Sequence, residues 1–325
     1  GVYYLRIIGF SYVLMSFSQV YESTLRSIER AYMGTAMSSL ALGLNIFLNA
    51  VFIFGWFGIK PMGVRGVAIA TVIARSIEVF LCLMDLLMSH VFALSGKVFF
   101  GHHKLLFMDF LKYSIPAMLN DIIWTLAFSS YSVVLGHLNA DIVAANSVVS
   151  TVRGLCTTVC FGLANGGAVI IGKEIGEGRM KDARRDCDRI CVLTLLSGIG
   201  MGIVLLAMRP LVFRFFPLNA RATSYLKIML YINSYYITGQ AINTTLIAGL
   251  FRAGGDSRFG LICDTISMWF VCVPLAFISA FVLKLPPMWV YFILCLDEFW
   301  KMPVVIRYYK SYRWLKNITR EDALS

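Results

Sequence analysis

The sequence predicts an all-α, polytopic membrane protein of about nine transmembrane helices. Three observations carry that prediction. Of 325 residues, 58% are hydrophobic and only 14% charged, against about 45–50% apolar and about 25% charged in soluble domains. Mean hydropathy is +0.75. The apolar residues gather into stretches of helix-spanning length, about 20 residues for a bilayer core.

The expected spans are 4–27, 36–59, 65–92, 110–136, 143–171, 189–208, 224–250, 257–282 and 287–309. Most connections are short, as between antiparallel neighbours. Two are longer. Residues 93–109 carry Lys97, His102, His103 and Lys104. Residues 172–188 mix Lys173, Arg179, Lys181, Arg184 and Arg185 with Glu174, Glu177, Asp182 and Asp186; 173–188 reads as a solvated cytoplasmic linker helix.

A net charge of +11 would suit nucleic acid, but the basic residues sit in short runs between apolar stretches, where a membrane protein keeps its cytoplasmic charges. Counted by side, eighteen lysines and arginines fall on the face holding Arg26, Lys112, Arg185, Arg252 and the tail with Lys310 and Arg320. Six fall on the other: Lys60, Arg65, Arg209, Arg214, Arg221 and Lys284. The richer face is expected in the cytoplasm, with Ser325 inside and Gly1 outside. The chain starts at Gly1 with neither a charged leader nor a cleavage site, so its first apolar segment does not read as a signal peptide. The eight cysteines, Cys156/Cys160 and Cys187/Cys191 among them, lack zinc-site spacing and read as packing residues.

The chain also repeats itself. Tyr4-Leu5-Arg6-Ile7 returns as Tyr225-Leu226-Lys227-Ile228, Gln19 as Gln240, and Thr24-Leu25 as Thr245-Leu246, at an offset of 221 residues. Arg30-Ala31 returns as Arg252-Ala253 one residue later, and Glu78 falls near Glu298. That offset holds six spans, an even number, so the copies are parallel repeats about an axis along the membrane normal. Residues 108–325 then form a complete six-helix lobe with a short cytoplasmic tail. Residues 1–107 supply the last three helices of a first lobe and an inter-lobe linker, and three helices are expected before Gly1.

Several phrases resemble the bacterial branch of the multidrug and toxin extrusion (MATE) family. They are Tyr4-Leu5-Arg6, Leu25-Arg26-Ser27, Asn45 with Asn49, and Pro61-Met62-Gly63-Val64-Arg65-Gly66-Val67-Ala68 leading into Ala70-Thr71. The second half adds Pro116, Asn120-Asp121-Ile122-Ile123-Trp124, Ala144-Ala145-Asn146, Gly172-Lys173-Glu174-Ile175-Gly176 and Arg252-Ala253-Gly254-Gly255-Asp256-Ser257. The resemblance implies twelve helices in two lobes. It also implies export of amphipathic cations driven by protons or sodium.

Charged groups inside spans are expensive and mark functional sites by default. Asp121 is the first candidate for cation or proton coupling, with Asn120 beside it and Trp124 placed to stack on a cationic drug; the resemblance also implies an acid on this helix. Its alternative is a cap or ion pair at the helix end. Asp264 is the second, completing an ion or substrate site with Asn233 or Asn243, or else making a structural bond, for example to Arg252. Asn165 joins the expected substrate cavity. Glu78 beside Arg75, Glu298 beside Lys301, and the i,i+4 pair Arg252 and Asp256 read as structural or gating pairs. Gly162, Gly166, Gly167 and Gly172, with Gly198, Gly200 and Gly202, read as sites of close helix approach, and Pro116 and Pro274 as kinks.

The expected function is secondary active efflux of amphipathic, often cationic drugs by alternating access, in exchange for H⁺ or Na⁺, with no cofactor and no metal. The expected partners are small-molecule drugs and the lipid bilayer, with no nucleic acid; the protein acts as a monomer in a bacterial inner membrane. The alternative is a lipid-linked saccharide flippase, which needs basic residues facing its cavity; Arg75, Arg153 and Lys301 are the few available. A membrane enzyme is a third class, but no DxxxD, DDxxD, GxGD or HExxH phrase occurs in a span.

Overall fold

The computed structural model describes residues 2–58, 60–89 and 104–316. Lys97, His102, His103, Arg320 and most of the 93–109 connection lie outside the described residues. Every regular element among the described residues is helical. The chain divides into two compact units, residues 1–102 and 103–325, where the sequence placed a boundary at 107/108.

The first unit holds α1 (Val2–Ser27), α2 (Ala31–Phe54) and α3 (Val64–Met88). α3 packs against both others. The second holds α4 (Lys104–Leu138), α5 (Ala140–Gly176), α6 (Met180–Ala207), a short α7 (Arg209–Phe215) and α8 (Ala220–Asn243). It ends with α9 (Ser257–Val282), α10 (Pro287–Leu294) and α11 (Asp297–Ser311). Among the described residues, six helices are long and apolar enough to cross a membrane: α2, α3, α4 from Phe107, α5, α6 and α9. The other three expected spans, 4–27, 224–250 and 287–309, are also helical, as α1, α8 and the α10–α11 pair.

The apolar residues are distributed as a bilayer requires. On α6, Val192, Leu196 and Ile203 are about 60% exposed, at the spacing of one helix face, where hydrocarbon replaces a protein partner. α8 is the reverse: it packs against α5, α6, α10 and α11 and buries Asn233, Gln240 and Asn243. The amide nitrogens of Asn233 and Asn243 donate to neighbouring groups, whereas their oxygens and that of Gln240 are buried without a partner.

Helix ends follow local chemistry. Asn139 accepts from the Asp141 amide at 2.8 Å to open α5, and Asn219 from the Ala222 amide at 2.7 Å to open α8, the side-chain capping that orphan N–H groups need. The expected linker helix at 173–188 is corrected. α5 runs to Gly176, Glu177–Arg179 turn, and α6 starts at Met180. Gly178 at φ 75° takes the left-handed conformation that ends a helix. The charges expected there form exposed ion pairs, such as Arg185–Asp182 at 3.1 Å and Arg189–Asp186 at 3.0 Å, of a kind that contributes little to stability.

Three departures from α-helix position the site below. α8 continues from Thr244 to Phe251 as a wider π-helical turn, and α9 widens likewise over Thr265–Cys272. The expected span 287–309 is interrupted at Cys295 and Leu296, so α11 begins anew at Asp297. Pro116 lies inside α4, and Pro274 between two wide turns of α9.

Of the expected close approaches, Gly198 and Gly202 bring α6 against α8, and Gly167 meets Ile190; Gly162, Gly166, Gly172 and Gly200 face open space. Gly202 is the tightest. A Cβ there would lie 2.3 Å from the Ser234 carbonyl oxygen, closer than any side chain can sit without moving α8. Gly202→Ala is therefore expected to lower the melting temperature of the detergent-purified protein by several degrees, the effect of about 1–3 kcal/mol of overpacking. Gly200→Ala, with nothing near its Cβ, is expected to melt within error of the parent.

Candidate functional site

The second unit contains a chain of charged and amide side chains drawn from four helices. Asn120 on α4 stands at its middle. Its amide nitrogen donates to Asp264 Oδ2 at 2.8 Å and to the Gly260 carbonyl at 3.3 Å. Its amide oxygen accepts from Arg252 at 3.0 Å. Outward from there, Arg252 pairs with Asp121 at 2.6 Å. Inward, Lys301 donates to Asp264 Oδ1 at 2.8 Å and reaches Glu298 at 3.1 Å. Asn243 closes the chain, donating to the Glu298 carboxylate and backbone carbonyl, both at 2.7 Å. An amide between an arginine and an aspartate has one workable orientation, oxygen to the cation and nitrogen to the anion, so Asn120 fixes the polarity of the chain.

Local backbone explains the placement. Asn243 and Asp264 each immediately precede a π-helical turn, an irregularity frequent at functional sites. Asp297 and Glu298 occupy the first turn of α11, where the positive end of the helix dipole favours carboxylates. The break before α11 is thus what puts two acids inside the bundle. Asp264, Asp297, Glu298 and Lys301 are all at most 4% exposed. Together they are three carboxylates around one ammonium.

The chain borders a cleft of about 360 Å³, with Trp124, Thr125, Phe161, Asn165, Thr244 and Ile247 on its walls. Trp124 packs on Phe128 with ring centroids 4.3 Å apart. Asn120, Asp121, Trp124, Asn165, Asn243, Arg252, Asp264, Glu298 and Lys301, all singled out from the sequence, line this one cleft.

Several expectations are corrected. For Asp121 the alternative given above, an ion pair, is what the structure shows: its side chain is 67% exposed and held by Arg252. Asn233 is fully buried away from the cleft, donating to Tyr291 at 2.7 Å and to the Met229 carbonyl at 2.8 Å. Arg252 does not pair with Asp256. Asp256 caps α9 at the Phe259 amide, at 3.2 Å, and accepts from Tyr308 at 2.5 Å, because the turn at Gly254 and Gly255 points the two side chains apart. Glu78 lies in the first unit, 1% exposed, bonded to Arg75 at 2.6 Å and to Ser38 at 3.2 Å. Ser38 also donates to Glu22.

Asp297 was missed. It is fully buried, capping its neighbour's amide at 2.9 Å and accepting from Tyr236 at 3.5 Å. Read as one continuous span, 287–309 offered no reason to prefer it to Glu298. An acidic pair beside a lysine in an apolar run was the available signal.

Losing Lys301 would leave the buried carboxylates of Asp264 and Glu298 without the ammonium they share, a change of the class that costs about 3–5 kcal/mol. Lys301→Met is expected to lower the melting temperature sharply, and Lys301→Met/Glu298→Gln to recover part of the loss; equal melting of the two variants would show that the charge group is not held together by Lys301.

Comparisons with known proteins agree with this architecture. The MatE family model matches residues 116–278. A probable multidrug resistance protein NorM of Thermotoga maritima is 22% identical over 323 residues, covering 98% of this chain and 68% of the relative. An uncharacterized transporter, YisQ, of Bacillus subtilis is 24% identical over 308 residues, covering 93% and 67%. Among solved structures, an outward-facing multidrug resistance MATE family transporter of the MOP superfamily superposes with a TM-score of 0.81 at 17% identity, covering 95% of this chain and 69% of that one. A MATE crystal structure in the bent conformation gives 0.80 at 17%, covering 95% and 68%. The chain thus spans about two thirds of the length of these relatives.

Proposed function

Because the chain belongs to the MatE family of membrane transporters, we propose that it is part of a secondary active efflux transporter that exports amphipathic organic cations in exchange for H⁺ or Na⁺. The observation that carries this reading is the charge count at the cleft. On its walls Asp264 and Glu298 share one ammonium, Lys301, and Asp121 faces Arg252 at the rim. An uncompensated buried charge is unstable in low dielectric, so the surplus calls for a small cation: a proton on a carboxylate, or Na⁺ among its oxygens.

The relay supplies the coupling. An organic cation entering the cleft stacks on Trp124 and competes with Arg252 for Asp121. A proton or Na⁺ taken up at Asp264 weakens its hold on Asn120 and Lys301. Asn120 is the group through which Arg252 would feel that change, and Arg252 then reclaims Asp121 and displaces the drug. Alternation between drug-loaded and ion-loaded states is antiport. The protein acts on its substrate as a monomeric carrier and not as an enzyme. It resides in a bacterial inner membrane with its C-terminus in the cytoplasm, the face richer in lysine and arginine. The flippase alternative needs several basic groups free for a diphosphate. Of the three that the sequence offered, Lys301 and Arg75 are engaged by carboxylates, which leaves the single guanidinium of Arg153.

Everted vesicles carrying the full-length protein test this with ethidium under imposed proton and then sodium gradients. Accumulation that stops when one gradient is dissipated is expected, and it names the ion. Asp264→Asn is expected to abolish the gradient dependence, and Asp121→Asn to cut uptake about tenfold, the loss of a charge-assisted contact. Full-rate, gradient-driven uptake by Asp264→Asn would sink the assignment.

A further inference from the structure

The second unit also presents a groove to the bilayer, between α9 and α11. The two helices run antiparallel. Lys301 of α11 meets Asp264 of α9 at 2.8 Å. Further toward the face richer in lysine and arginine, Tyr308 stacks on Phe259 with ring centroids 3.8 Å apart. Arg258 precedes Asp264 by six residues and Arg307 follows Lys301 by six. At about 1.5 Å per residue both arginines lie on the order of 9 Å beyond the Asp264–Lys301 bond, at one depth. Each comes one residue before its stacked ring, and in an antiparallel pair that turns both to the same flank.

Deeper in the membrane the flank is apolar. Ile262 and Ile266 continue from Arg258 at four-residue steps along α9, and Trp300 and Val304 lead to Arg307 along α11; all four are more than half exposed. Both arginines are exposed, and neither forms an ion pair or a hydrogen bond among the described residues. The neighbouring carboxylate, Asp256, is taken by Tyr308 at 2.5 Å and Lys316 at 3.6 Å. Two unanswered guanidiniums at the end of an apolar stripe complement one kind of molecule, with phosphate at one end and acyl chains at the other. Basic residues at this face of a membrane protein attract anionic lipid, and the guanidinium fork matches phosphate oxygens.

We propose that the groove between α9 and α11 binds an anionic phospholipid of the cytoplasmic leaflet, its phosphate bridging Arg258 and Arg307 and its chains lying along Ile262, Ile266, Trp300 and Val304. Bound there, the lipid ties together the ends of the two helices that carry Asp264 and Lys301. The site depends on the chain's residence in a bilayer and not on what the protein transports, so it stands or falls apart from the efflux reading.

Trp300 reports on the groove. The full-length protein is reconstituted in dioleoylphosphatidylcholine vesicles, and brominated phosphatidylglycerol or brominated phosphatidylcholine is introduced in rising mole fraction to quench tryptophan fluorescence. The signal of Trp300 is the difference between the parent and Trp300→Phe. Phosphatidylglycerol is expected to associate at Trp300 about tenfold more strongly than phosphatidylcholine, the order of effect of two arginines beside an anionic headgroup. Arg258→Gln/Arg307→Gln is expected to bring the two lipids level, and Lys112→Gln, which removes an exposed cation of α4, to keep the preference. Equal association of both lipids in the unmodified protein overturns the site, a result that stands even if the double variant does not fold. An unchanged preference in a folded double variant overturns it too, and so does loss of the preference in Lys112→Gln, which would trace it to diffuse surface charge. Inorganic phosphate at constant ionic strength is expected to leave the preference in place; if it abolishes it, free phosphate and not lipid occupies the arginines.

Discussion

Charge inside hydrocarbon survives only in company, and the second unit is organised around that constraint. Asn120 is its pivot. By accepting from Arg252 and donating to Asp264, one neutral amide joins an exposed ion pair at the cleft rim to a buried group of three carboxylates and a lysine. The break between α10 and α11, the wide turns after Asn243 and Asp264, and the tight crossing of α6 over α8 at Gly202 all hold these side chains in reach of one another. Without the amide the two charge groups would be separate features of the fold.

That arrangement explains why the polar residues of this chain are concentrated on so few helices. α8 carries amides because it is enclosed by α5, α6, α10 and α11. α6 carries almost none on its outward face, where Val192, Leu196 and Ile203 stand exposed. Two clefts then divide the electrostatics. Carboxylates dominate one, and the guanidinium of Arg153 among hydroxyls and aromatic rings dominates the other.

Much of this was legible in the sequence. Length and composition gave a helical membrane protein, and the cost of intramembrane charge singled out Asp264, Glu298 and Lys301. The Asn-Asp-x-x-Trp run at 120–124 pointed to the α4 wall of the cleft. What escaped depended on tertiary partners. Asp121 looked buried because its helix is apolar, yet its rim position leaves it exposed to Arg252. Arg252 and Asp256 have the spacing of a pair on a continuous helix, but the helix ends between them. Asn233 shares a helix with Asn243, ten residues on, and that separation in an α-helix turns it to a different neighbour, Tyr291. Asp297 was hidden because a helix interruption leaves no mark in hydropathy.

The central claim is that the buried carboxylate group gives up a small cation when an organic cation enters. Its most direct test is stoichiometric. Tetraphenylphosphonium is titrated into the detergent-purified protein in weakly buffered solution while pH and free Na⁺ are followed. The relay predicts release of about one H⁺ or Na⁺ for each tetraphenylphosphonium bound, as charge balance in a low-dielectric site requires, and loss of that release in Asp264→Asn. Saturable binding with neither ion released would contradict it, since the site would then hold the drug and its own cation together.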